Sequence, residues 1–303
     1  MNKFVALAVV SALFITFVPV RVSAEFEEDI LAVEFAAEDE KFIASLPAAK
    51  GKYKSRQRPL LIQGAMNSEI GLWVRALKNP VVYRHLNYVY IAGTYKNYPV
   101  VVSRTEEFIP NAAASTALAL TNFNPVAVIN QGTAGGYVET LVLGDIVIGA
   151  RSINMSALRT TYQPKGTGID VTQSELLGSF AYDKDLGKFR IYEDFSADPT
   201  LLRLAEKISG FNALTGTIGT SDGWNSSVDY MGFLNEKYGV VCEEMETASA
   251  AQICHGSGVP FIGIRVISNN ITNGSAYQPQ SAEYAQRFTM ILAENYIRNV
   301  LKK

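Results

Sequence analysis

The sequence predicts an α/β fold: one domain, starting near Pro59, in which a sheet is layered by helices. Three observations carry this. Short apolar runs alternate with longer segments of helical character along the chain. The 303 residues, 48% of them hydrophobic, supply ample core for one large domain or two small ones. Polar clusters follow the apolar runs at 64–69, 130–136, 221–225 and 265–270, where an α/β sheet places its ligands, beyond the carboxyl ends of strands.

The first segment is not part of that fold. Lys3 precedes the apolar run "FVALAVVSALFITFVPV", and "RVSA" then meets the acidic "EFEED". This order reads as a secretory signal over residues 1–24, cleaved after Ala24, and so as an exported protein, periplasmic or secreted. An uncleaved membrane anchor is the alternative, because the apolar run is slightly long. No cysteine follows it, which excludes a bacterial lipoprotein. Residues 25–58 read as an N-terminal extension, a short helix and then a basic linker, before a domain over 59–303.

Within the domain, "LLIQGA" is a predicted strand and 67–77 a helix. "YVYIAGTYKNYPVVVSRT" reads as two strands around a turn at Lys96 and Asn97. "NAAASTALALTNF" is an Ala-rich helix, followed by the strands "VAVINQGTAGG" and "GDIVIGARSI". Residues 152–195, rich in Gly, Thr, Tyr and charge, are expected to form an irregular excursion before a helix near 199–208. "TGTIGTSD" is a strand, and "EEMETASAAQICHGSG" reads as a helix with an acidic start and a Gly-rich end. "PFIGIRVIS" is a strand, and a long closing helix follows. The acidic start at 243–246 is expected to face the same cleft as the four polar clusters.

Composition narrows the function. A net charge of −2 without basic clusters argues against nucleic acid as the main partner. Cys242, Cys254, His85 and His255 have no metal-ligand spacing, which argues against a zinc site. No metal or organic cofactor is expected, and no membrane contact after signal cleavage.

The ordered set "GAMNSE", "NQGTAGG", "LGDIVIG", "EEMETASA" and "VPFIGIRVIS" resembles the nucleoside phosphorylase superfamily, most of all the bacterial 5′-methylthioadenosine/S-adenosylhomocysteine nucleosidases. The resemblance runs from about Leu60 to the C-terminus. It implies a three-layer fold with a mixed central sheet, partly closed into a barrel and flanked by helices, in a homodimer or higher homo-oligomer. It also implies cleavage of a purine nucleoside at the N-glycosidic bond, hence a role in nucleoside catabolism. That chemistry must hold the ribose, assist departure of the base, and place water or phosphate at C1′.

The resemblance also implies site residues. Glu69, read alone, suits the first turn of a helix; the resemblance makes it the carboxylate that orients or deprotonates the attacking water. Glu246 becomes the acceptor of both ribose hydroxyls, with Met245 against the sugar, Glu244 in support, and Met66 in the pocket. Arg265 is expected to help hold Glu69 and the water, with the Thr133 hydroxyl at the same water. Ala134 and Gly135 allow close backbone approach. Trp224 replaces a Phe that stacks on the purine, Asn225 offers backbone groups to the base edge, and Ser268 belongs to the same site. Tyr277 or Tyr284 closes the pocket.

Two positions depart from the nucleosidase and phosphorylase patterns. Asn130 stands where phosphorylases place a phosphate-binding arginine, which favours hydrolysis; Arg104 keeps phosphorolysis open as an alternative. Asn269 stands where adenine-specific nucleosidases carry an aspartate that protonates the leaving purine. An amide cannot supply that proton. The substrate is therefore expected to be a 6-oxopurine nucleoside ahead of a methylthioadenosine-like one. A non-catalytic nucleoside-binding or storage protein of the same fold is the alternative.

Overall fold

The structure is a computed structural model that describes residues 37–183 and 186–302. The predicted signal segment and the start of the extension lie outside the described residues. Residues 37–45 are helical (α1), and the chain then crosses to the sheet in extended and turn conformation.

The strands expected to be continuous apolar runs are buried throughout. β1 (Leu60–Gly64) is wholly buried, and β14 (Phe261–Asn269) is buried except at Asn269. Unbroken burial is what a strand covered on both faces requires. β1 lies parallel between β4 (Tyr98–Arg104) and β5 (Ala127–Gly136). β3 (Tyr88–Tyr95) pairs antiparallel with β4, and Lys96 and Asn97 both take positive φ in the two-residue turn, as a tight hairpin demands.

Five strands close on themselves. β14 runs parallel to β5 and antiparallel to β6 (Ile146–Asn154). β6 continues to β12 (Ala213–Thr220), β12 to β13 (Val240–Glu244), and β13 returns antiparallel to β5. This closed barrel sits within a 10-stranded mixed sheet, and β1, β4, β3 and β2 (Lys78–His85) extend it to an open edge. Helices α2 (Asn67–Ala76), α3 (Ile109–Phe123), α4 (Pro199–Ala205), α5 (Val228–Tyr238), α6 (Thr247–Ser257) and α7 (Ala282–Tyr296) flank it. The α/β fold with a mixed, partly closed sheet is as expected.

One contact fixes the helix that carries Glu69. The Gln286 side chain of α7 accepts from Leu72 N at 2.9 Å and donates to Ser68 O at 2.8 Å. The Trp73 indole N–H reaches Thr289 Oγ1 at 3.0 Å. The first turn of α2 is thus clamped by buried polar bonds rather than by apolar contact alone.

Three expectations are corrected. The acidic segment does not begin a helix at Glu243: Glu243 and Glu244 end strand β13, and α6 starts at Thr247 with Glu246 as its N-cap. Both strand carboxylates are buried and held by donors, so tertiary bonding overrides the helical preference of the segment. Residues 152–195 are less irregular than expected. β9 (Ser179–Asp183) and β10 (Lys188–Tyr192) form a hairpin, β7 (Leu158–Arg159) pairs β8 (Glu175–Leu176), and β11 (Phe195–Ser196) joins β6. Strand β2 and helix α5 were not expected at all. Cys242 and Cys254 are both buried and free.

Candidate active site

The polar clusters at the strand ends converge on one cavity of about 720 Å³. Ala65, Met66, Glu69, Thr133, Ala134, Gly135, Trp224, Asn225, Glu244, Met245, Glu246, Ser268 and Asn269 all line it. Of the predicted site residues only Arg265 does not line it, lying fully buried behind the wall.

Glu69 sits in the first turn of α2, and its carboxylate reaches both the helix start and β5. One oxygen accepts from Ala65 N (2.7 Å) and Met66 N (3.3 Å), tying off the helix start. The other accepts from Thr133 N (2.8 Å) and Thr133 Oγ1 (3.1 Å), across the mouth of β5. Gly132 is required here, since a Cβ would lie 2.6 Å from that second oxygen. A carboxylate held by four donors has a fixed direction and stays a strong acceptor.

Arg265 is a correction. It makes no hydrogen bond to Glu69; its guanidinium donates to Glu244 Oε2 (2.5 Å) and to Asn130 Oδ1 (2.6 Å), and lies 3.8 Å from Glu246 Oε2. Asn130, where a phosphate-binding arginine was the alternative, is therefore an acceptor for Arg265. Burial alone would lower the Arg265 guanidinium, but Glu244, Glu246 and Glu69 raise it instead. Glu244 also accepts from Glu246 N (2.9 Å), Thr247 N (2.8 Å) and the Thr220 hydroxyl. Its carboxylate thus joins the end of β13 to the start of α6, to β12 and to Arg265. Removing either partner of this buried pair leaves the other uncompensated, at about 3–5 kcal/mol.

Glu246 completes the acidic floor. Oε1 accepts from Phe108 N at 3.1 Å, while among the described residues Oε2 has only the distant guanidinium. Phe108 holds that position with a φ of 78°, a left-handed conformation costly for a non-glycine residue. Burial, then the charges of Glu244 and Glu69, push the Glu246 carboxyl well above its ordinary value of 4.5; Arg265 and the Phe108 N–H oppose them. The ionised form is the one with two acceptor oxygens. Binding of a ligand that donates hydroxyls to Glu246 should therefore weaken as pH falls through a value above 4.5 and recover on the alkaline side. Measuring KM against pH checks this, with the limb absent in Glu246→Gln.

At the other end, Trp224 is 55% exposed, which excludes a core role, and its ring meets Tyr277 edge-on with centroids 5.9 Å apart. Tyr277 lines the cavity, whereas Tyr284 lies near Gly144 and not in the lining, so Tyr277 is the aromatic that closes this end. Asn225 is a second correction. Its backbone N–H is taken by Glu243 Oε1 at 2.9 Å and cannot serve a base. Asn269 Oδ1 accepts from Ser268 Oγ at 3.1 Å, while its Nδ2 has no partner among the described residues. The neighbouring amide is structural: Asn270 donates to Val138 O (2.9 Å) and Leu141 O (2.8 Å) and is fully buried.

Among the wall residues given no role in advance are Phe108, Tyr137 and Glu243, the last expected only to face the cleft. Phe108 gave no signal, because its part depends on a strained backbone. Tyr137 and Glu243 could have been noticed, since two consecutive acids in a strand must face opposite sides.

The Phosphorylase superfamily profile matches residues 59–299. The 5′-methylthioadenosine/S-adenosylhomocysteine nucleosidase of Bacillus pumilus is 31% identical over 215 residues, covering 69% of this chain and 85% of the relative. Its counterpart from Shewanella oneidensis is 30% identical over 252 residues, covering 80% and 98%. Among solved structures, the nucleosidase of Neisseria meningitidis in complex with methylthio-immucillin-A superimposes with a TM-score of 0.64 at 22% identity, covering 79% of this chain and all of that one. Futalosine hydrolase of Helicobacter pylori gives 0.62 at 19% identity, covering 78% and 98%. A profile spanning most of the chain and relatives matched over nearly their whole length settle the kinship: the chain belongs to the Phosphorylase superfamily.

Proposed function

We propose that the protein is a purine nucleosidase that hydrolyses the N-glycosidic bond, with 6-oxopurine nucleosides preferred. The observation that carries this is Glu69, a buried carboxylate aimed by four donors into the cavity that also holds Glu246 and Asn269. The relatives at about 30% identity are nucleosidases, which supports the same reaction class.

The parts divide the work. Glu246 accepts from the ribose hydroxyls, and Met245 and Met66 pack against the sugar. Trp224 stacks on the purine. Water held by Glu69 and Thr133 attacks C1′ and gives its proton to Glu69, while the C1′–N9 bond breaks and its electron pair leaves with the base. Asn269 Nδ2 donates to the departing purine and spreads the developing charge, without transferring a proton.

Charge favours water over phosphate. Seven glutamates line the cavity against one arginine. That arginine, Arg104, is held by Glu106 (2.8 Å) and Asn67 (3.1 Å). A phosphate dianion would enter a field of its own sign. The test is to incubate the protein with inosine, guanosine, adenosine and methylthioadenosine, with and without phosphate. Free base from inosine in phosphate-free buffer supports hydrolysis. Strict phosphate dependence overturns it in favour of a phosphorylase, and saturable binding without turnover in favour of a binding or storage protein.

Export through the 1–24 segment and assembly as a homodimer or higher homo-oligomer belong to the same proposal. The first rests on the charge and hydropathy pattern of that segment, the second on the resemblance. A mature N-terminus other than Glu25 would contradict the first, and a monomer by light scattering the second.

A further inference from the structure

Glu243 is a carboxylate of the cavity wall that the proposed reaction does not use. It stands opposite Gly135 on β5, and Gly135 is also the ladder partner of Asn269. Partners across a sheet share a face, so Glu243 and Asn269 flank one glycine, at about 10 Å across two strand spacings. Nothing on Gly135 fills the space between them, and both line the cavity.

Four donor atoms lie within hydrogen-bond reach of Glu243. Oε1 accepts from Asn225 N at 2.9 Å. Oε2 accepts from Tyr137 Oη at 2.6 Å, from Ser221 Oγ at 3.3 Å and from Asn225 Nδ2. Asn225 Nδ2 also lies 3.2 Å from Tyr137 Oη. No cation pairs with Glu243 among the described residues. Burial, then the Glu243 charge, raise the Tyr137 phenol, so it stays protonated and donates.

The groups left facing the cavity here are acceptors. Asn225 Oδ1 has no partner among the described residues, and Glu243 Oε1 takes a single donor. At the Asn269 end the order is reversed: Oδ1 is occupied by Ser268, and Nδ2 faces the cavity as a donor. A 6-oxopurine presents N1–H as a donor and O6 and N7 as acceptors, which complements this wall. A 6-aminopurine presents N6–H2 as a donor but N1 as an acceptor, so a carboxylate placed to take N1–H would face a lone pair there instead.

We propose that Glu243, held by Tyr137, Asn225 and Ser221, is a base-specificity residue: it makes the wall beside Asn225 accept, and so selects a purine that carries N1–H over a 6-aminopurine. This rests on the reading that the cavity binds purine nucleosides. It acts on recognition of the base and not on the attack at C1′.

The test is calorimetric titration of the full chain with hypoxanthine and adenine, beside kcat/KM for inosine and adenosine. Wild type is expected to bind hypoxanthine at least about 10-fold more tightly than adenine. Glu243→Gln keeps the shape but introduces an NH2 donor. It should weaken hypoxanthine binding by about 10–100-fold, spare adenine, and collapse the ratio. Tyr137→Phe removes one donor and should lower the ratio in the same direction by about 3–10-fold, which keeps the proposal testable should the Gln variant fail to fold. A ratio unchanged in both variants, tighter adenine binding by wild type, or binding of neither base overturns it. If hypoxanthine is preferred and the variants shift the ratio while no nucleoside is turned over, the specificity stands and the hydrolase reading fails.

Discussion

Glu69→Gln is expected to lower kcat for inosine cleavage by about 10²–10⁴-fold while hypoxanthine still binds. In the proposed mechanism the carboxylate takes a proton from water that must become nucleophilic only as the C1′–N9 bond opens, and glutamine cannot take it. The loss should fall on kcat rather than KM, since in the proposed mechanism Glu69, bonded to Thr133, acts on the water and not on the base. There is a structural cost as well. Each oxygen of Glu69 faces two donors, so the amide nitrogen of glutamine must turn toward Ala65 and Met66 N–H or toward Thr133. An amide opposing N–H groups costs about 1–3 kcal/mol, visible as a lower Tm. Folded protein with kcat within a few-fold of wild type would remove Glu69 from the chemistry. Arg265 offers no equally clean experiment, because its removal strands Glu244 in the interior.

Asn269→Asp is expected to raise kcat for adenine nucleosides by about 10²-fold or more. The variant supplies the proton that an amide cannot, at the point where Nδ2 now faces the cavity. The acid must carry its proton to donate it, so the gain should grow as pH falls toward the pKa of the new carboxyl. KM for adenosine should remain poor, because the acceptor wall around Glu243 is untouched. On the proposed reading the two positions separate: Asn269 acts on departure of the base and Glu243 on its recognition. A variant with unchanged kcat on adenosine across pH would remove Asn269 from the general-acid position.

Sequence patterns exposed most of the fold because its strands are buried on both faces. β1 and β14 stand out because they open on apolar runs, and the alternation with helical segments did the rest. Closure of the barrel was legible only through the resemblance, since it depends on β14 touching both β5 and β6, far apart in sequence. β2 escaped notice because "KNPVVYRH" carries Pro80 and charges, which an edge strand tolerates and a central one does not. At the site, residue identity was legible and partnership was not. Glu69 and Thr133 meet as expected, but Arg265 turns to Glu244 and Asn130. "CEEME" looked like an acidic helix start because strand and helix differ there only in what buries the carboxylates. Glu243 acquires its place from Tyr137 and Asn225, 106 and 18 residues away along the chain.

The most direct measurement is the identity of the sugar released from inosine in phosphate-free buffer, followed from initial rates. Hydrolysis at Glu69 should give free ribose and hypoxanthine in equal amounts, at a rate unchanged when phosphate is added. Ribose 1-phosphate as the product, or release only when phosphate is present, would contradict it.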